Sequence, residues 1–479
     1  MAEVKTNVSV AVLNRLRDSA SIDYRNAVPV ATANADVIKS IGKIIIDSPN
    51  LQNEFSNYLI NRIAKVLIER AIFEDPLAKV FDKGLIEYGD VIEEVFIDLC
   101  NPHTYSVSKG DTDVFKRAKN NIKSAFHVTN AYYYYKSSIS PKMIRKAFLS
   151  VDGVEDLIRG LVGSMTTSYN VDNYLLTKYM LAKAMLDGTT CIKPVSAITT
   201  QATGNAFLEV AKEDSNNMEF PNRKYNTMSV ANVTSKENQY LITSNAVDAK
   251  LSIETLAYMF SVAFGEVAAK KVRVDNFTFT EDELERIENC LAEKDENGNL
   301  IEGGDTDFEP FTDDELAALA NIQAILLDGQ FIQNYGQLFE TRYIENPANL
   351  WENYWLHVWK MYSRSPFAQC ICYASGTNGP QSVAIDSTSI PTVTAGTAGT
   401  KTIDAEVTVS GLVPKGAQLV KWSVALSEGA TGEASIDATG KLTWSDDFTA
   451  ADTITVTCTS AIDDTVTDYE VITVASAGA

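Results

Sequence analysis

A break in composition at Thr377 constrains this chain more than any motif in it. Just before the break lies Asn346 to Gly376, NPANLWENYWLHVWKMYSRSPFAQCICYASG, with three of the five tryptophans: Trp351, Trp355 and Trp359. After it the chain becomes rich in Thr, Ala, Val, Ser and Gly and loses its long helical patterns. The change predicts that the aromatic block closes a large first domain and that a smaller module follows. The tryptophans read as core anchors of the first domain, because aromatic side chains bury the most apolar surface. At 479 residues the chain has room for two or three domains.

Both parts are acidic. The net charge is −22; from Thr377 onward there are 4 Lys and Arg against 13 Asp and Glu, and before it 37 against 50. Tight wrapping of nucleic acid is disfavoured, although an acidic surface suits a protein that encloses DNA without sticking to it. No apolar run reaches the roughly 18 residues of a membrane span. The first residues, MAEVKTNVSVAVLNRL, contain no signal-peptide core, which implies use inside a cell or exit without Sec export. The cysteines, Cys100, Cys191, Cys290, Cys370, Cys372 and Cys458, form no CxxC pair. All six read as reduced packing residues.

Along the chain, residues 1 to 47 read as a polar arm. Ser48-Pro49 begins a helix, with serine at the N-cap, proline at the first turn, and Leu51, Phe55, Tyr58, Leu59, Ile63, Val66 and Leu67 on one face. Residues 76 to 140 alternate in short runs around Gly84 and Gly89 and read as a long two-stranded excursion that needs a partner. Asp152 and Glu155 form a capping-box pattern for the longest helix, which stops at Asp187-Gly188. Gly160 and Gly163 inside it point to a kink or a close backbone contact. Ile253 to Ala269 and Thr312 to Leu327 read as further helices, the latter with Glu315 completing a capping box. From residue 384 onward, DAEVTVSGL, LVKWSVAL, KLTWSDD, DTITVTCTS and YEVITVAS alternate at strand length, as in a β-sandwich.

Motifs for chemistry are scarce. DENGNLIEGGD, Asp295 to Asp305, places Leu300 and Thr306 where a calcium-binding loop needs Gly and Glu, so Asn297-Gly298 reads as a hairpin turn. Asp111/Asp113 and Asp305/Asp307 read as solvated loop carboxylates. His103, His127 and His357 are the only histidines, too few for a multi-histidine metal site, and His357 reads as a packed ring. No nucleophile elbow, Walker A sequence or dinucleotide fingerprint occurs. The tyrosines at 132–135 fit base stacking or a two-sided ribbon between subunits, and the ribbon is favoured. The cluster Lys116, Arg117, Lys119 and Lys123 fits a contact with DNA or with an acidic neighbour, and the neighbour is favoured because the chain is acidic. No catalytic, cofactor-binding or metal-binding residue is assigned, and no cofactor is expected.

Three segments carry a family resemblance. YRNAVPVATAN, EDPLAKVFDKGLIEYGDVIEEVFIDL and ENPANLWENYWLHVWKMYSRSPFAQCICYASG occur in that order and frame residues 24 to 376. They resemble the major capsid proteins of small, short-tailed, phi29-like bacteriophages. The resemblance implies an α+β body of the HK97 type over 1–376. Within it, 1–75 would be an N-terminal arm and helix, 76–145 an extended loop reaching a neighbour, and the helix from Asp152 the spine. Residues 146–188 and 341–376 would be the peripheral domain, and 189–340 the axial domain. A linker at 377–383 would lead to a module over 384–479. That module resembles bacterial immunoglobulin-like group 2 domains through VKWSV around Trp422, SIDATGKLTW and DTITVTCTS.

The implied function is structural. Pentamers and hexamers of one chain would enclose the phage DNA in an icosahedral or prolate head, touching it only weakly and without specificity. The 75 residues before the loop leave no room for a fused scaffold, so a separate scaffolding protein is expected, together with a portal protein. Assembly would take place in the host bacterial cytoplasm, and the chain would reside in the virion. The alternatives are another virion component, a tail tube or decoration protein, or an adhesin using its C-terminal module. An enzyme is not expected.

Overall fold

The structure is a computed structural model that describes residues 8–55, 73–86, 89, 91–102, 121–140, 143, 146–149, 153–251, 260, 270–294, 308–346 and 351–476. It begins with helices, where a polar arm was expected: α1 Val8–Ser19, α2 Ile22–Ala27 and α3 Ala35–Asp47. Ser21 and Asn34 cap α2 and α3 through their side chains. Their apolar residues fall on one stripe. Leu13, Leu16, Ile38, Ile41 and Ile45 all enter the main core. Residues 49–55 are helical, as Ser48-Pro49 predicts, and Ser48 accepts a backbone bond from Gln52 at 2.9 Å. The remainder of that helix lies outside the described residues.

The next strands are β1 Asp82–Leu85, β2 Val91–Ile97, β3 Ile122–Val128 and β4 Ala131–Ile139. Strands β2 and β3 pair antiparallel from Val91↔Val128 to Ile97↔Ile122 and form the expected ribbon. The expectation of an excursion through 145 fails at β4, which pairs with the body along nine residues. Helix α4, Gly153–Leu186, runs unbroken for 34 residues. Among the described residues a Cβ at Gly163 would meet nothing within 4 Å. The helix stops where predicted, with Gly188 at φ 71°. The Asp152 half of its capping pattern lies outside the described residues.

Strand β5 Cys191–Pro194, helix α5 Gln201–Asn217, strands β6 Gln239–Ser244 and β7 Lys271–Val274, and helix α6 Glu281–Leu291 follow. The helix expected at 253–269, the Asp295–Asp305 loop, Asp111/Asp113, Asp305/Asp307, and Lys116, Arg117 and Lys119 lie outside the described residues, apart from Phe260. Thr312 and Glu315 make the predicted capping box of α7, Asp313–Ala320, but that helix does not reach Leu327. Asn321 ends it, and Ile322–Asp328 becomes β8, buried at every position. An apolar run buried on both faces has no helical or strand period to distinguish it.

Strands β9 Ile332–Asn346, β10 Trp351–Arg364 and β11 Cys370–Ala374 complete two sheets. One has the order β1-β9-β10-β4 and the other β5-β11-β8-β6-β7. The boundary expected at 340/341 therefore falls inside β9. The closing aromatic block spans both sheets, because β11 pairs with β5 and β8. Opposite Gly336 the β9–β10 register shifts between Trp359 and Lys360. A Cβ at Gly336 would sit 2.7 Å from Leu85, so glycine lets β1 close on β9.

The C-terminal strands are β12 Gly379–Ile385, β13 Gly399–Thr402, β14 Ala405–Ser410, β15 Val420–Leu426, β16 Ala434–Ile436, β17 Lys441–Trp444, β18 Thr453–Ser460 and β19 Thr467–Thr473. They surround a core of their own, including Val383, Val407, Leu442, Trp444, Ile454, Val456 and Cys458. The linker expected at 377–383 shrinks because β12 starts at Gly379 and pairs with β14. Gly376, at φ 77°, makes the turn between the two cores. None of the six cysteines is in a disulfide; five are buried, and Cys100, expected to be packed, is exposed. Among the described residues no helix is long and apolar enough to cross a membrane.

Candidate assembly surfaces

The ribbon leaves its more apolar side exposed. Alternate residues of an antiparallel pair face opposite sides, and a free-standing subunit normally hides the apolar side. Here Val91, Val95, Ile97, Ile122, Phe126 and Val128 are all exposed, Phe126 by 63%. The opposite side is the one fastened to the body. His127, buried beneath β3, meets Ser363 at 2.7 Å and Glu94 at 3.1 Å, and the other Glu94 oxygen accepts from Ser365 at 2.8 Å. Phe96 stacks on Phe367 with centroids 5.6 Å apart. At the ribbon's far end two Arg223 N–H groups hold both Asp98 oxygens, at 2.6 and 2.9 Å. Those bonds keep the Asp98 carboxyl down at about 2.

The four-stranded sheet shows a second such face. Along β10, Glu352, Tyr354, Leu356, Val358 and Lys360 point inward and are buried, while Trp351 and Trp359 are exposed and Trp355 and His357 half-buried. The tryptophans are therefore not core anchors, as the sequence had implied. The inward set is apolar enough to fill the core, and its two charges are answered. Lys360 donates to Asp82 at 2.6 Å and to Asn173 at 2.5 Å, while Gln52 reaches Glu352 at 3.4 Å. Asn173 also donates to Asp75 at 2.6 Å; burial, chiefly, raises the Asp75 carboxyl to about 6.

The tyrosines at 132–135 split across this sheet. Tyr133 and Tyr135 point inward, and Tyr135 donates to Asp172 at 2.6 Å. Tyr132 and Tyr134 lie outside, 58% and 59% exposed, beside Trp359 and His357 in the adjacent strand. Their centroids lie 5.7 Å from Trp359 and 5.8 Å from His357, and Lys136 sits 5.6 Å above Trp355. His357 is thus part of an outer face, not an interior ring. Within the basic cluster Lys123 contacts its own subunit, donating to the Met228 carbonyl at 2.6 Å. Among the described residues no group of three His, Cys, Asp or Glu could hold a metal ion.

Large exposed apolar faces on a folded subunit mark protein contacts, and the family explains why this chain has them. A family model described as Phi29-like phage major capsid protein matches residues 13–374. The chain is 26% identical over 400 residues to the major capsid protein of Bacillus phage GA-1, covering 82% of this chain and 75% of that protein. It is 26% identical over 375 residues to the major capsid protein of Streptococcus phage Cp-1, covering 75% and 92%. The capsid structure of Staphylococcus phage Andhra aligns at a TM-score of 0.48 with 14% identity, over 65% of this chain and 86% of that one. This chain belongs to the phi29-like phage major capsid protein family. It is a structural subunit of the phage head and a component of the virion. The matched segment ends at 374, just before the turn at Gly376, so the C-terminal module lies outside it.

Proposed function

We propose that this subunit forms pentamers and hexamers, through an HK97-type body, that close into the head shell around the phage DNA. The observation that carries this reading is the ribbon. Its mixed side, with Glu94, Phe96 and His127, is bound to its own subunit, and its more apolar side is left for a neighbouring copy. The outer aromatic face of β4 and β10 offers a second contact of the same character. Two different faces on one chain favour head-to-tail contacts, which close into rings. Each contact is modest, and the shell gains strength from many repeats of it.

In this reading the four-stranded sheet with α4 is the peripheral domain and the five-stranded sheet the axial one. A separate scaffolding protein guides curvature, a portal protein occupies one vertex, and the DNA is touched only weakly because the chain is acidic. The C-terminal strands form an immunoglobulin-like domain on the head's exterior. The chain works as a building block and not as a catalyst. Electron microscopy of the chain assembled with its scaffolding protein tests the whole reading. Closed icosahedral or prolate shells are expected. Open tubes, or monomers that persist under assembly conditions, would overturn it.

A further inference from the structure

One loop of the body is gripped from both sides. Residues 222–232 close on themselves through paired backbone bonds between Asn222 and Asn232, at 3.1 and 3.3 Å. Asn226 is buried and stiffens the loop, donating to the Val230 carbonyl at 2.7 Å and accepting from its amide at 2.8 Å. Ser229 adopts a left-handed conformation, φ 51°, which a residue with a side chain holds only under constraint.

The ribbon grips one side of this loop. Lys123 donates to the Met228 carbonyl, Arg223 holds Asp98, and the same Arg223 also donates to the Ser229 carbonyl at 3.1 Å. The C-terminal module grips the other side. Its turn after β14 inserts Lys415, whose ammonium donates to the Asn226 carbonyl and, at 2.7 Å, to the Ser229 hydroxyl. The Lys415 amide donates to Thr190 at 2.9 Å, and Leu412 is buried in the body's own core. Ser229 is therefore shared. Its hydroxyl accepts from the module's Lys415, and its carbonyl accepts from Arg223, the loop's own residue that holds Asp98 of the ribbon. Burial, chiefly, holds the Lys415 ammonium below the usual lysine value, and the nearby Lys123 charge adds to this.

We propose that residues 222–232 are a clasp that couples the ribbon to the C-terminal module, so that releasing either one loosens the other. Each grip fixes the same loop conformation, so the second partner meets a loop already ordered by the first. Such coupling is reciprocal by thermodynamic necessity. The module is then a sensor of ribbon position, placed where a ribbon drawn towards a neighbour would be felt.

Hydrogen exchange on the full-length, unassembled chain tests the clasp. In Lys415→Ala, amides of 91–97 and 122–128 should exchange at least threefold faster, although no ribbon residue has changed. In Arg223→Ala, amides of 411–417 should gain by a similar factor. The double variant should resemble the larger single effect and not their product. Lys421→Ala, which removes an exposed pair with Asp464 on the same module, should leave the ribbon unchanged. If either substitution speeds exchange only on its own side of the loop, or if the double variant multiplies the two effects, the clasp is refuted. Lys415→Arg, which keeps the donor, should restore ribbon protection; failure to do so would also count against it.

Discussion

Strand β18 in the C-terminal module and the ribbon β2–β3 carry the same alternating pattern and turn it in opposite directions. In β18, Ile454, Val456 and Cys458 point into a closed core and are fully buried. In the ribbon, Val91, Val95, Ile97 and Phe126 point to solvent, while Glu94 and His127 lie against the body. The first strand closes the core of its own module. The second leaves its apolar face exposed. Alternation alone therefore says that a strand has two sides, and not which side is the inside.

The difference can be tested by substitution and by pH. The largest effect on subunit stability belongs to the closed core. Ile454→Ala should cost about 2–5 kcal/mol, seen as a lower denaturation midpoint for the C-terminal transition, because the cavity cannot be refilled. An equally small cost would mean that the module's core is not closed after all. Next comes Asp75, which accepts from the Leu77 amide at 2.8 Å. Its folded value of about 6 lies above its unfolded value, so the folded state keeps a proton that the unfolded state has lost. Stability should fall as pH rises from about 4 to 6, by roughly 2–3 kcal/mol in total. Asp75→Asn should flatten that window in denaturation curves measured across it.

Asp98 has the opposite sign. Its folded value, about 2, lies below its unfolded one, so its contribution is present above about pH 4 and is lost as pH falls through 2. Cleavage by an acid protease should therefore reach the ribbon before the body as pH falls through that range. Simultaneous loss of both would mean that Arg223 and Asp98 do not secure the ribbon. The smallest stability change belongs to the open face. Phe126→Ser should alter subunit unfolding by no more than about 0.5 kcal/mol. It should nevertheless sharply reduce shell yield in assembly reactions followed by light scattering. If it instead unfolds the subunit, the ribbon face is part of the subunit's own core and the contrast with β18 collapses.

The same ambiguity decided what the sequence made legible. Capping residues were readable because they act locally: Thr312 with Glu315, and Gly188 after α4, sit where their chemistry requires. The end of α7 was not, since Ile322–Asp328 is apolar on both sides and its partners are distant in sequence. The first helices are legible only through the helical spacing of Leu13 with Leu16 and of Ile38, Ile41 and Ile45, which a reading by composition passes over. In β10 both faces are rich in large residues, and the bulkier set, the tryptophans, was assigned to the core. Tyr354, Leu356 and Val358 took that place because α4 and Asn173 already occupy the inward side and answer Lys360 there. Alternation around Gly84 and Gly89 located the ribbon, but which of its sides lies inward required knowing which residues touch the body.

Helix α4 has a mechanical consequence. Its 34 residues at about 1.5 Å each make an unbroken rod of roughly 50 Å. Shortening it would mean breaking backbone bonds turn by turn. Each subunit thus has one dimension that does not give. Subunits can tilt against one another, but none can shorten along this rod.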